Sequence, residues 1–308
     1  MISRLKYPRY LNIKEEEFDR RIEKAYKLLS PCEVCPRKCG ANRLEGEEGF
    51  CRSGEEVIVS SYNAHLGEEP PLSGNFGSGT IFFTNCNLKC VYCQNYPISQ
   101  LGNGNKVSLL ELTNFMIALQ KRKCHNINMV TPTHFVPQIL KSLKSAIKMG
   151  LRIPIVYNSS GYESVETLKL LDGIVDIYLP DARYADNEVA RKYSSAPDYF
   201  EIMKKVLKEM HRQVGDLTVD KNGMARSGLI VRHLVLPEGL SGTRKILRFI
   251  ARELSPHTYI SMMAQYFPAY QADQFPYLSR RINKGEYREA LQTFKEEGLE
   301  NGWFQKDL

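Results

Sequence analysis

No stretch of this chain is apolar for long enough to span a bilayer. Its first ten residues, MISRLKYPRY, lack the apolar core of a secretory signal, so a cytoplasmic location is expected. Basic residues exceed acidic ones by 42 to 35, a net charge of +7. That excess is spread out. There is no arginine-rich arm and no basic block interleaved with aromatics, so neither a membrane nor a nucleic-acid partner is expected. The glycine-bearing stretch 74–79 lacks the lysine of a nucleotide-phosphate loop. No internal repeat and no low-complexity tract is present. What remains is an ordinary globular composition, 43% hydrophobic and 25% charged, over 308 residues. That length suits one large α/β domain with an appendage.

The eight cysteines are not spread like a disulfide framework. Seven fall between residues 32 and 93 in two groups, and Cys124 stands alone as a small side chain expected in the core. Without a secretion signal, such groups point to metal or cluster ligands. The later group is Cys86, Cys90 and Cys93, a C-x3-C-x2-C triplet directly after the apolar residues 80–83. Three is the informative number. Closed zinc sites and most iron–sulfur clusters take four protein ligands, so three thiolates on one loop leave one iron of a [4Fe–4S] cluster open. A zinc loop or a set of buried free thiols is the plain alternative.

From residue 80 onward, apolar strands alternate with amphipathic helices. The expected strands are 80–83, 127–130, 153–157, 175–179, 229–236 and 259–263. The expected helices are 107–122, 135–149, 163–171, 186–213 with a break near Pro197, and 242–254. Strands apolar on both faces belong to a parallel sheet covered by helices, joined by right-handed crossovers. Such units build either a doubly wound sheet or a barrel, and six are too few for a closed eight-fold barrel. A helix is expected over 14–29 before this region, and another over 286–296 in the tail.

Ligands bind at the carboxyl ends of parallel strands. Polar or titratable residues gather there at six places: the cysteine triplet, Thr131 to His134, Asn158 to Tyr162, Asp181 to Tyr184, Arg232 and His233, and Gln265 to Phe267.

The triplet, with Tyr92 before its last cysteine, resembles the signature of the radical S-adenosylmethionine (radical SAM) superfamily. Within it, residues 79–268 resemble activating enzymes of glycyl-radical enzymes, of the pyruvate formate-lyase activase type, and most of all an uncharacterised iron–sulfur subgroup of them. The likeness rests on Cys86 to Asn95, on Asp181-Ala182-Arg183 after the fourth strand, on Val231 to Pro237 in the fifth, and on Asn158-Ser159. It implies an open (β/α)6 partial TIM barrel, with Cys86, Cys90 and Cys93 on a [4Fe–4S] cluster. It implies that Tyr92, Asn158, Asp181, Arg183 and Arg232 hold S-adenosyl-L-methionine. It further implies reductive cleavage to a 5′-deoxyadenosyl radical, hydrogen abstraction from carbon, and a flavodoxin or ferredoxin as electron donor. The substrate implied is a glycine of a partner glycyl-radical enzyme, with a peptide, RNA base or small molecule as the other reading. A non-catalytic metal scaffold is the third.

The departures fall on the cofactor rim. Thr131 to His134 stands where activases carry Gly-Gly-Glu, Arg183 replaces a lysine, and Gln265-Tyr266-Phe267 replaces Pro-Tyr-His.

The earlier group, Cys32, Cys35, Cys39 and Cys51, lies in a segment rich in glycine and charge and poor in apolar residues. Four thiolates in so short a span suit a second metal site, structural zinc or an auxiliary iron–sulfur cluster, with redox or unliganded thiols as the alternative. The expected division is 1–75 as helix and cysteine-rich segment, 76–270 as the barrel and 271–308 as a helical tail. The loop His65 to Gly74 carries Glu68 and Glu69, which either bind a cation or substrate amine or form a solvated turn.

Overall fold

The computed structural model describes residues 6–305. Its strands are β1 (Val57–His65), β2 (Ser78–Phe83), β3 (Asn105–Val107), β4 (Ile127–Val130), β5 (Ile155–Ser159), β6 (Ile177–Pro180), β7 (Thr218–Val219), β8 (Ala225–Leu234), β9 (Tyr259–Met263) and β10 (Gly302–Phe304). Its α-helices are α1 (Glu15–Lys27), α2 (Pro70–Ser73), α3 (Tyr96–Ser99), α4 (Leu109–Lys121), α5 (Val136–Lys148), α6 (Val165–Lys169), α7 (Asn187–Ser194), α8 (Tyr199–Val214), α9 (Thr243–Glu253) and α10 (Lys284–Glu296).

The sheet runs β10-β9-β8-β6-β5-β4-β2-β1-β3, with β7 paired to β8 at the side. The six strands expected from the apolar runs are β2, β4, β5, β6, β8 and β9, neighbours in that order and all parallel. This is the α/β partial barrel, open between β3 and β10. Two strands begin two residues later than the apolar runs indicate. β5 starts after Pro154, which has no N–H to give a ladder. The run at 175 starts late because the buried Asp176 accepts the backbone N–H groups of Arg9 (2.8 Å) and Ile155 (3.0 Å) instead of extending the strand.

The outer strands are less legible, and β3, β7 and β10 are unmarked in the sequence. The apolar run 57–59 marks only the start of β1, which is nine residues long and pairs antiparallel with β2 and β3. Its outer half, Ser61 to Ala64, is too polar and too exposed to show alternation. β10 adds parallel to β9 beyond the expected tail helix.

The helices begin where local chemistry allows. Ser108 and Glu111 form a reciprocal capping box on α4, as Asn283 and Glu286 do on α10. Ser195, in the left-handed region at φ 54°, separates α7 from α8 just ahead of Pro197. The convex face of the sheet packs Ile155, Tyr157, Tyr178, Leu229 and Val231 against these helices. Alternate residues Val156, Ile177, Leu179 and Ile230 face the concave side, where Leu72 of α2 joins them in a separate apolar cluster. The loop between β1 and β2 therefore stoppers the amino end of the barrel and leaves the carboxyl end for chemistry.

The segment 31–54 has one 3₁₀ turn, Arg43–Glu45, and almost no regular structure. Much of what holds it is polar. Arg43 is fully buried and donates to Gly54 O through Nε (3.0 Å) and Nη2 (2.6 Å), and to His134 O through Nη1 (2.7 Å). Three hydrogen bonds from one guanidinium add to the small apolar cluster that Leu29, Cys32 and Val34 form at the start of this segment.

Candidate active site

The cysteine loop leaves β2 through Thr84, whose N–H donates to Ile58 O of β1 (2.9 Å), and turns at Asn85, φ 70°. The Asn85 side chain ties back to Ser53 and Arg52 of the amino-terminal segment. The backbone N–H groups of Lys89 and Val91 donate to Ser194 O (3.1 Å) and Tyr193 O (2.9 Å) at the end of α7. Loop shape is thus set from both sides. Each thiol meets a donor: Leu88 N–H reaches Cys86 Sγ (3.4 Å), Ser194 Oγ reaches Cys90 Sγ (3.0 Å), and Ser99 Oγ lies 3.0 Å from Cys93 Sγ. Burial pushes the Cys86 thiol up to about 12, and burial and then Cys90 raise Cys93. Thiols so placed are poor nucleophiles alone and become thiolates only beside a cation.

Beside the loop lies a cleft of about 120 Å³ lined by Tyr92, Cys93, Asp181, Arg183, Arg232 and Gln265, among others. Asp181, after β6, accepts Arg183 Nη2 at 2.5 Å on one oxygen and Arg232 Nε at 2.8 Å on the other. Arg232 Nη2 donates to Asn158 Oδ1 (2.8 Å), and Arg183 Nη1 approaches Cys90 Sγ at 3.7 Å. Burial disfavours both guanidinium charges, but Asp181 more than compensates and both stay charged. Arg232 is thus ion-paired with Asp181, as a cation inside an apolar strand must be, and it also lines the cleft. Arg183 Nε is buried and has no partner.

The sequence profile of the Radical SAM superfamily matches residues 80–221. An uncharacterized protein of Methanocaldococcus jannaschii is 34% identical over 297 residues, 94% of this chain and 81% of the relative. The chain belongs to the radical SAM superfamily. Solved structures share the fold. The FeFe-hydrogenase maturase HydG from Carboxydothermus hydrogenoformans superposes with a TM-score of 0.50 at 12% identity, over 73% of this chain and 52% of HydG. A second structure of HydG, a maturase of the [FeFe]-hydrogenase, gives 0.52 at 14% identity, over 97% of this chain and 65% of that one. The chain thus spans only about half to two thirds of those structures, and at such identity they speak for the fold alone.

The residues present fit the superfamily's cofactors. Among the described residues no three His, Cys, Asp or Glu side chains close around a single ion. A four-iron cluster asks for something different, one thiolate at each of three irons, and the donor set here is three thiols on one loop beside an unpartnered guanidinium nitrogen. A carboxylate is the natural acceptor for that nitrogen.

The expected cofactor residues divide by position. Tyr92 is buried beneath the triplet, edge-on to Tyr184 and Tyr266, and borders the cleft. Asp181, Arg183 and Arg232 face the cleft, and Asn158 sits one step behind Arg232. Thr133 and His134 turn inward to other work. Thr133 Oγ1 donates to Glu163 Oε1 (2.6 Å), and His134 Nε2 lies 2.8 Å from Thr84 O, its pKa lowered to about 3 by burial. His65 stays at the surface edge of Phe82, away from the triplet.

In the amino-terminal segment, Cys32 lies near Cys39, and Cys51 and Cys32 lie near Cys35. The four form one neighbourhood. That neighbourhood touches the cluster loop, since Arg37 donates to Asn87 O (2.9 Å) and Ser195 O while stacking over Phe50 and Tyr162.

Sequence reasoning missed Ser194, Ser99, Arg37 and Glu163. Serine and arginine are common at surfaces, and nothing local marks these four. Only the apposition of distant segments gives them partners.

Proposed function

We propose that this protein is a radical SAM enzyme of the glycyl-radical-activase type, abstracting hydrogen from a carbon of its substrate. A glycine in a partner enzyme is the substrate the motif likeness favours. The observation that carries the reading is the Arg183 bridge. One guanidinium reaches a cluster thiol, Cys90, with one nitrogen and Asp181 with another, and its Nε is buried without a partner in a residue that lines the cleft. When bound, the cluster and S-adenosylmethionine supply a 5′-deoxyadenosyl radical.

The chain's residues do the rest. Cys86, Cys90 and Cys93 hold the cluster. Arg183 and Arg232 receive a carboxylate, Asp181 keeps both guanidinium groups fixed, and Tyr92 closes the floor against water. Flavodoxin or ferredoxin delivers the electron. Cys32, Cys35, Cys39 and Cys51 hold a second metal site, zinc or iron–sulfur, which stiffens the segment clasping the loop. The test is anaerobic reconstitution with iron, sulfide and zinc analysis. Reduction with S-adenosylmethionine present is then followed by assay for 5′-deoxyadenosine. A glycyl radical in a co-incubated glycyl-radical enzyme, seen by electron paramagnetic resonance, supports the activase reading. Formation of 5′-deoxyadenosine with no such radical removes it.

A further inference from the structure

A hydrogen-bonded chain crosses the barrel from its stoppered end to the cluster loop. It starts at Glu68, in the loop between β1 and α2, outside the six strand–helix units. Glu68 Oε2 accepts Asn128 Nδ2 of β4 (2.8 Å) and Asn158 Nδ2 of β5 (3.3 Å). Asn158 Oδ1 accepts Arg232 Nη2 of β8 (2.8 Å). Arg232 Nε and Arg183 Nη2 share the two oxygens of Asp181, and Arg183 Nη1 ends the chain at Cys90 Sγ.

Direction matters in this chain. An asparagine amide has one accepting and one donating end, and either can face a neighbour. An ionised carboxylate only accepts. Glu68 therefore compels Asn158 to turn its NH2 downward and its oxygen up to Arg232. Were the amide reversed, it would set donors against donors at the guanidinium. Glu68 is itself well held. Leu72, four residues on, is fully buried in the apolar cluster of β5, β6 and β8. Ser73 Oγ donates to Glu68 O (3.0 Å), and the Leu72 and Ser73 N–H groups both donate to Glu69 O. Asn128 is fully buried and fixes the carboxylate from the other side.

We infer that Glu68 is a positioning residue: through Asn158 it orients the Arg232–Asp181–Arg183 array that receives the methionyl carboxylate. The inference rests on the radical SAM reading of the cleft. It makes the barrel's stopper a working part of the site, although its sequence lies outside the matched region.

The experiment compares wild type with Glu68→Ala, Glu68→Gln and Asn128→Ala after anaerobic reconstitution. The readouts are iron content, thermal midpoint, the dissociation constant for S-adenosylmethionine, and the spectrum of the reduced cluster with it bound. Glu68→Ala should raise the dissociation constant about tenfold and alter the bound-state spectrum, because a charged array loses its fixed geometry. Glu68→Gln keeps an accepting oxygen and should stay within about threefold of wild type, and Asn128→Ala should fall between. If Glu68→Ala fails to take up iron, the other two variants carry the test. Wild-type affinity and spectrum in Asn128→Ala and Glu68→Ala, with only the thermal midpoint lowered, would overturn the inference and leave Glu68 as a stopper. Loss in Glu68→Gln equal to that in Glu68→Ala would overturn it too, since charge and not orientation would then matter. A wild type that neither loads iron nor binds S-adenosylmethionine defeats the functional reading itself, a different result.

Discussion

At Cys90 two hydrogen-bond donors from opposite sides meet one sulfur, Ser194 Oγ and Arg183 Nη1. No other loop thiol has a cationic neighbour at hydrogen-bond range among the described residues. Cys90→Ala should abolish 5′-deoxyadenosine formation by reduced protein, with far-ultraviolet circular dichroism unchanged; robust formation would refute the cluster assignment. Arg232→Met removes one arm of the Asp181 fork. It should weaken S-adenosylmethionine binding by roughly 1.5–3 kcal/mol, the range for a hydrogen bond to a charged group. Titration of the reconstituted protein measures this. An unchanged dissociation constant with a lower thermal midpoint would leave Arg232 as a purely structural ion pair. At this scale the sequence marked the thiols by their spacing on one loop, and Arg183 and Arg232 through the motif likeness. It could not mark Ser194 or Asn128, whose roles exist only through their neighbours.

Among the elements, the turn after β4 and the end of β5 are tied by a buried carboxyl. Glu163 accepts Thr133 Oγ1 (2.6 Å) and Tyr157 OH (2.9 Å), and burial raises its pKa to about 7 despite those bonds. The folded state thus holds a proton that the unfolded chain releases near its ordinary 4.5. By linkage, stability contributed here is full at low pH and falls as pH rises from about 4.5 through about 7, on the order of 3 kcal/mol. Glu163→Gln should flatten that part of the profile in urea titrations at pH 5.5 and 8. An unaltered slope would place the pKa elsewhere. The cysteine segment is the second element at issue. It has few apolar contacts and hangs on Arg43, Arg37 and its thiols. Cys35→Ser should lower the content of the second metal and lower the thermal midpoint on the order of 5 °C, at ~2–4 °C per kcal/mol for a chain of this size. An unchanged metal count would rule out the second site. The triplet's iron should be largely retained in that variant.

For the whole molecule, the carboxyl-terminal strand decides how the sheet ends. β10 covers β9, Phe304 packs edge-on to Phe294, and Gln305 Oε1 accepts Ala264 N–H (2.6 Å) at the rim beside the cleft. A chain ending at 300 should expose the β9 edge and aggregate with rising concentration, measured by light scattering. A truncated chain that stays monomeric would show that β10 is dispensable. Among the described residues no helix is long and apolar enough to cross a membrane. By itself the sequence determined the six parallel strands and the placing of the triplet at a strand's carboxyl end, which follow from local periodicity and from the handedness of βαβ connections. Their order followed from the motif likeness, since the pattern alone allowed a doubly wound sheet as well as a barrel. Tertiary structure alone decided the antiparallel extension through β1 and β3, the parallel β10, and the burial of Arg43. It also decided the chain from Glu68 to Cys90. Each of these pairs residues far apart in sequence, and a hydrogen bond between distant segments leaves no pattern in either until folding brings them within 3 Å or so of each other.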